Sequence, residues 1–218
     1  MIDNPWKQSA LSEPYVLDID KPQIDSYNVN KFDDPGYMHI ELLPEPFYGN
    51  PQAPVMLLSL NPGYAKNADA DFYNLNEAAC RLNLEHATQE YPFYLLNPAY
   101  REYTGHQWWY KHLSALIKDT TLQRVATNVC CVEFFPYHSR SFKASRLKLK
   151  SAYYRHELVV QAKNDGHLII MRAARHWYGA IPELKTYTNV CTLNSPQNPT
   201  ISPNNMPPEW YDRLKNAI

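Results

Sequence analysis

Three stretches of the chain place side chains that can hydrogen-bond a ligand beside an apolar run. The first is residues 55–64, VMLLSLNPGY. Residues 55–60 are short and apolar enough for one buried strand, and Asn61-Pro62-Gly63 ends it with turn chemistry. Pro62 fixes its own φ and drives Asn61 out of the helical region, while Gly63 can take a positive φ or let a ligand approach the backbone. Ligands of open parallel sheets bind just beyond the carboxyl ends of strands, so Asn61 stands where chemistry is expected. Asn-Pro-Gly also serves as a plain tight turn, and both readings stand. The second stretch, residues 125–135, VATNVCCVEFF, carries Asn128; the third is the loop Ser195-Pro196-Gln197-Asn198-Pro199. A parallel sheet could bring all three to one edge.

The elements that must position these residues follow from periodicity. Strands are expected at 55–60, 125–135 (stopped by Pro136), 167–171 and 188–193. Helices are expected at 75–82, where Leu75, Ala78, Ala79 and Leu82 have helical spacing, and at 107–118, where Trp108, Leu113, Leu116 and Ile117 do. Further helices are expected around 152–162, 172–178 and 209–216. Residues 91–103 read as an aromatic loop. Strands alternating with helices predict an α/β fold, a three-layer α/β/α sandwich around a central, mainly parallel four-stranded sheet.

At 218 residues the chain suits one such domain, expected over 51–218. Residues 1–50 read as an extended acidic arm packed on it, with an apolar patch at 39–43 that could form a short strand. That arm holds nine carboxylates against three lysines, a net of −6, so the rest carries about +5 to reach the formal −1. The basic charge concentrates in residues 140–155, where Arg140, Lys143, Arg146, Lys148, Lys150 and Arg155 occur without an acid. Such a run fits a solvated helix face and equally fits phosphate contact.

Several classes lose their support. No GxxxxGK[ST], GxGxxG, serine nucleophile elbow or HExxH is present. No run of 18 apolar residues occurs, so no membrane span is expected. The first 15 residues lack the apolar and basic regions of a signal peptide. Cys80, Cys130, Cys131 and Cys191 form no CxxC and read as small buried hydrophobes, implying no metal and a reducing, cytoplasmic setting.

Taken together, Ser59-Leu60-Asn61-Pro62-Gly63, Thr127-Asn128-Val129-Cys130-Cys131 and Leu193-Asn194-Ser195-Pro196-Gln197-Asn198-Pro199 resemble, in order, three motifs of the uracil-DNA glycosylase superfamily. The likeness is to its single-strand-selective and mismatch-specific branches, and it spans about residues 54–205. The resemblance implies that fold and a hydrolase that cleaves the N-glycosidic bond of uracil or a related damaged base in DNA. It implies no metal and no cofactor, DNA as partner and a monomer. Asn61 would hold the attacking water. Asn128 would read the flipped base, because one amide sets a donor beside an acceptor; its other reading is a buried amide satisfying neighbouring backbone. Tyr64 or Phe72 would stack on the base, unless either is plain core. Asn194, Ser195, Pro196 and Asn198 would press on the DNA backbone, with Gly63 beside the base; a Pro-rich surface loop is the alternative.

The chain departs from the pattern at two places. Ser59 stands for the first Gly, and Leu193 for the catalytic His of the late motif, with Asn194 one step on. His138 could substitute for that His or be a surface residue. Two other functions stay open: a non-catalytic nucleic-acid-binding member of the same fold, and a hydrolase of a small nucleoside-like metabolite.

Overall fold

This computed structural model describes residues 3–7, 12–66, 68–195 and 197–218. The strands are β1 (Phe47–Tyr48), β2 (Val55–Ser59), β3 (Val129–Glu133), β4 (Leu168–Met171) and β5 (Val190–Thr192). They form one sheet in the order β1-β3-β2-β4-β5. All neighbours are parallel except β1, which runs antiparallel to β3. The sheet is therefore mixed, with five strands where the sequence predicts four. The additional strand comes from the predicted arm, Phe47 and Tyr48 pairing with Val132 and Cys131. Two residues are too few to show an alternation.

The helices are α1 (Lys21–Asn28), α2 (Ala68–Leu84), α3 (Thr104–Asp119), α4 (Leu122–Asn128), α5 (Ala152–Asn164), α6 (Ala174–Ala180) and α7 (Pro208–Ala217). Every residue of the central strand β2 is buried, as befits a strand covered on both faces. From β2 the chain steps to one side through α2, α3 and α4 into β3. From β3 it passes back over β2 through α5 into β4. Parallel crossovers are right-handed, so these opposite steps put α2–α4 on one face of the sheet and α5 and α6 on the other. The reversal opens a crevice beyond the carboxyl ends of β2 and β3.

One predicted strand starts late. Residues 122–128 are helical, and Thr121 caps the helix by accepting the Arg124 backbone N–H at 3.1 Å. Val125 and Ala126 are buried on α4, so their apolar run reads the same in a buried helix as in a strand. Asn128 consequently ends α4 at the amino end of β3, across the sheet from Asn61. Its Nδ2 donates to the Arg124 carbonyl at 3.0 Å and the Ile218 carbonyl at 3.2 Å. It is a structural amide that fastens the chain's last residue, and it does not reach the crevice.

The segment before β1 is woven into the core. Trp6, Val16, Leu17, Ile24, Met38, Leu42 and Leu43 are all buried, and residues 39–43 contribute only a single bridge, His39 with His138. The basic segment 140–155 helps to hold it, and most of that segment is loop. Asp20 is fully buried and accepts from the Ser151 N–H at 2.9 Å and the Tyr137 hydroxyl at 3.1 Å. Arg155, also buried, donates to Ser151 Oγ and the Phe134 carbonyl, each at 3.2 Å. Lys143 pairs with Asp34 at 3.1 Å, and Arg140 donates to the Asp33 carbonyl at 3.0 Å. All four cysteines are free and buried.

Candidate active site

A cavity of about 310 Å³ fills the crevice. Its mouth is the turn after β2. The Asn61 amide Nδ2 donates to the Pro62 carbonyl at 2.8 Å and to Ser139 Oγ at 2.9 Å, from the loop after β3. Both amide protons are thereby used, and Oδ1 is left as the group's acceptor. The turn is held from two further directions. His138 is buried with Nδ1 2.7 Å from the Gly63 carbonyl oxygen and Nε2 3.0 Å from that of Leu43. Asp69, in the first turn of α2, accepts from the Ala65 N–H at 2.5 Å and the Thr104 hydroxyl at 3.1 Å. Asp69 thus ties the turn to the start of α3.

The walls are aromatic. Phe72 of α2 is buried and lines the cavity, its ring held edge-on by Tyr73, Tyr100 and Tyr103 at centroid distances of 5.0–5.3 Å. Tyr64 also lines it, but its ring is stacked on His39 with centroids 3.3 Å apart. Trp108 and Trp109 of α3 close the far side. Behind them the half-buried Arg172 lies 4.7 Å and 5.0 Å from their ring centroids and donates to Ser59 Oγ at 2.9 Å. Ser59 is therefore an acceptor for that cation under the floor, which a glycine there could not be.

Two carboxyl groups complete the floor. Glu45, buried, accepts from the Tyr48 hydroxyl at 2.7 Å and from the Tyr94 hydroxyl. Glu133, the last residue of β3, is equally buried, and its Oε2 has no hydrogen-bond partner. Burial pushes the Glu133 carboxyl up to about 8, and nearby Glu45 adds to the rise; the charges of Arg172 and Arg155 work against it. At neutral pH Glu133 is chiefly the neutral acid.

Of the sequence-predicted site residues, the cavity thus gathers Asn61, Gly63, Tyr64 and Phe72. Asn128 lies at the other end of the sheet. Asn194, Ser195 and Asn198 follow β5 and are organised by Asn205: its Oδ1 accepts the Ser195 N–H at 2.9 Å and its Nδ2 donates to the Asn198 carbonyl at 2.7 Å. Pro196 lies outside the described residues. This loop docks on α3, where the Thr200 hydroxyl lies 2.9 Å from His112 Nδ1, and His112 packs edge-on against Trp108 with centroids 4.4 Å apart. It stands one side chain behind the cavity wall. Leu193 is buried in the core. His138 lines the cavity, but both its ring nitrogens are engaged by backbone carbonyls, so it positions Gly63.

The chain matches no family model, no curated protein and no solved structure. Among the described residues no group of three or more His, Cys, Asp or Glu side chains could hold a metal ion, and no helix is long and apolar enough to cross a membrane.

Sequence reasoning missed Glu133, Glu45 and the two tryptophans as site residues. Glu133 carried a readable signal: it is the one charged residue in an apolar strand, at the carboxyl end where ligands bind. Glu45 carried none, because its place depends on where the preceding segment folds.

Proposed function

We propose that the protein hydrolyses the N-glycosidic bond of uracil or a related base in DNA, with Asn61 placing the water. The observation that carries this reading is the fixed Asn61 amide at the mouth of an aromatic cavity, with only its Oδ1 left to accept. In the proposed reaction a base turned out of the strand enters the cavity and packs on Phe72. The bond from C1′ to the base nitrogen breaks, its electron pair leaving with the base. A water held by Asn61 Oδ1 adds to C1′ and gives its second proton to solvent. An oxocarbenium-like transition state asks little of the nucleophile beyond position, so an amide suffices. Arg140, exposed and near Tyr64, is placed to meet a phosphate beside the mouth.

A second reading is favoured by one observation. Arg155 of the basic run is buried and Lys143 is paired with Asp34 at the surface, which leaves fewer cations for a DNA backbone and suits a free nucleoside-like substrate. Base release from single- and double-stranded oligonucleotides carrying uracil, hypoxanthine or xanthine, compared with release from free nucleosides, separates the two. Release from DNA that falls steeply with salt supports the first; salt-independent release from nucleosides alone supports the second.

A further inference from the structure

We propose that Glu133 reads the ligand of this cavity: its carboxyl group pairs with the edge of a planar nitrogen heterocycle that presents one acceptor beside one donor, as a lactam O=C–N–H does. The assignment deepens the function proposed above and rests on it for the origin of the base.

Elimination on the cavity wall leads to Glu133. Each other acid or base there already has partners: Glu45 the Tyr48 and Tyr94 hydroxyls, the half-buried Asp69 the Ala65 N–H and Thr104 hydroxyl, His138 two carbonyl oxygens. Among the described residues, Glu133 Oε2 is the buried side-chain polar atom of this wall that has none. A buried polar atom without a partner costs on the order of 1–3 kcal/mol, a cost that a ligand reaching it removes. The surroundings select a flat, apolar-faced ligand, since Phe72, Tyr73, Trp108 and Trp109 supply ring surfaces.

The protonation state sets which edge is read. A neutral carboxylic acid carries an O–H donor next to a carbonyl acceptor, the complement of a lactam; an ionised carboxylate can only accept and meets the ring carbonyl with repulsion. Three charged groups bear on this carboxyl. Arg172, after β4, and Arg155, of α5, favour its ionisation, and Glu45, before β1, opposes it. Its charge in turn raises Tyr48 of β1, as it does Cys131 of β3. Burial outweighs the two arginines, so the acid form holds until about pH 8.

The test is calorimetric titration of the protein with free uracil, hypoxanthine and 1,3-dimethyluracil. The wild type is expected to bind uracil and hypoxanthine and to reject 1,3-dimethyluracil, which has no ring N–H donor. Uracil affinity should fall about tenfold between about pH 7 and pH 9 as Glu133 ionises. Glu133→Gln keeps a donor beside an acceptor and should retain binding, with the pH dependence reduced to the ligand's own ionisation. Glu133→Ala should lose binding. Equal binding of uracil and 1,3-dimethyluracil by the wild type overturns the assignment without any variant. So does unchanged uracil binding in Glu133→Ala, the same pH profile in wild type and Glu133→Gln, or no binding of any free base. Base release from DNA is a separate readout: pH-dependent base binding without release sinks the glycosylase reading alone, and release with flat base binding sinks the role of Glu133 alone.

Discussion

Ser139 Oγ accepts the Asn61 amide proton at 2.9 Å, joining the loop after β3 to the turn after β2 across 78 residues of sequence. That bond, with the one to the Pro62 carbonyl, decides which way the amide faces. Ser139→Ala removes one of the two restraints and leaves the Asn61 side chain freer to rotate. Turnover is expected to fall roughly tenfold with KM little changed, because the loss is one of position. Steady-state kinetics check the split, and Ser139→Thr, which keeps the hydroxyl, should restore most of the rate.

Two glycines should respond in opposite ways. Gly49 sits at φ +91°, and a Cβ there would meet the Val129 carbonyl oxygen at 2.6 Å. Gly49→Ala is expected to cost about 2 kcal/mol or more, read as a fall in Tm. A Cβ on Gly63 meets nothing within 4 Å and would point into open space beside Asn61. Gly63→Ala should leave Tm within a degree or two while narrowing the cavity mouth, so turnover falls and stability does not.

Stability should peak near pH 6.5. Burial lowers His86, His112 and His156 to about 4, with Lys7, Arg172 plus Lys111, and Arg155 adding to the respective shifts. A depressed histidine contributes stability above its unfolded value near 6.5, and this is lost as pH falls through the folded value. Glu133 has the opposite sign. Its folded value is raised from 4.5 to about 8, so its contribution is complete below 4.5 and lost as pH rises to about 8. Below 6.5 three histidines outweigh one acid; above it Glu133 acts against the fold. Thermal melts from pH 4 to 9 check the profile, and Glu133→Gln should abolish the alkaline limb and steepen the acid limb above pH 4.5.

DNA affinity should depend on the cations that the fold leaves free. Arg146, Lys148 and Lys150 are exposed and form no ion pair among the described residues, whereas Lys143 is paired and Arg155 is buried. Replacing both Arg146 and Lys148 by Ala is expected to weaken DNA binding and to lower the salt slope by up to about two, leaving free-base binding unchanged. Fluorescence anisotropy at several salt concentrations measures it.

The sequence made the carboxyl end of β2 legible because a buried strand, a proline and a glycine meet there in five residues. The strands β4 and β5 were likewise visible as apolar runs and α3 in its apolar spacing, and α5 and α7 lie where helices were expected. Asn128 was misplaced because Val125 and Ala126 are buried on both readings of their run, and only the Thr121 cap marked the helix. β1 was invisible because it is two residues long and exists through its partners Val132 and Cys131. Glu133 and Glu45 meet only once the chain has crossed the sheet, so no local pattern joins them.

The most direct measurement is single-turnover release of uracil from a single-stranded oligonucleotide by the wild type and by Asn61→Ala, with DNA binding followed in parallel. Asn61 is half-buried at the mouth, so the variant should fold and still bind DNA. The account predicts release by the wild type and a loss of at least about a hundredfold in the variant. Equal release by both proteins, or none by the wild type from any of the damaged bases, contradicts it.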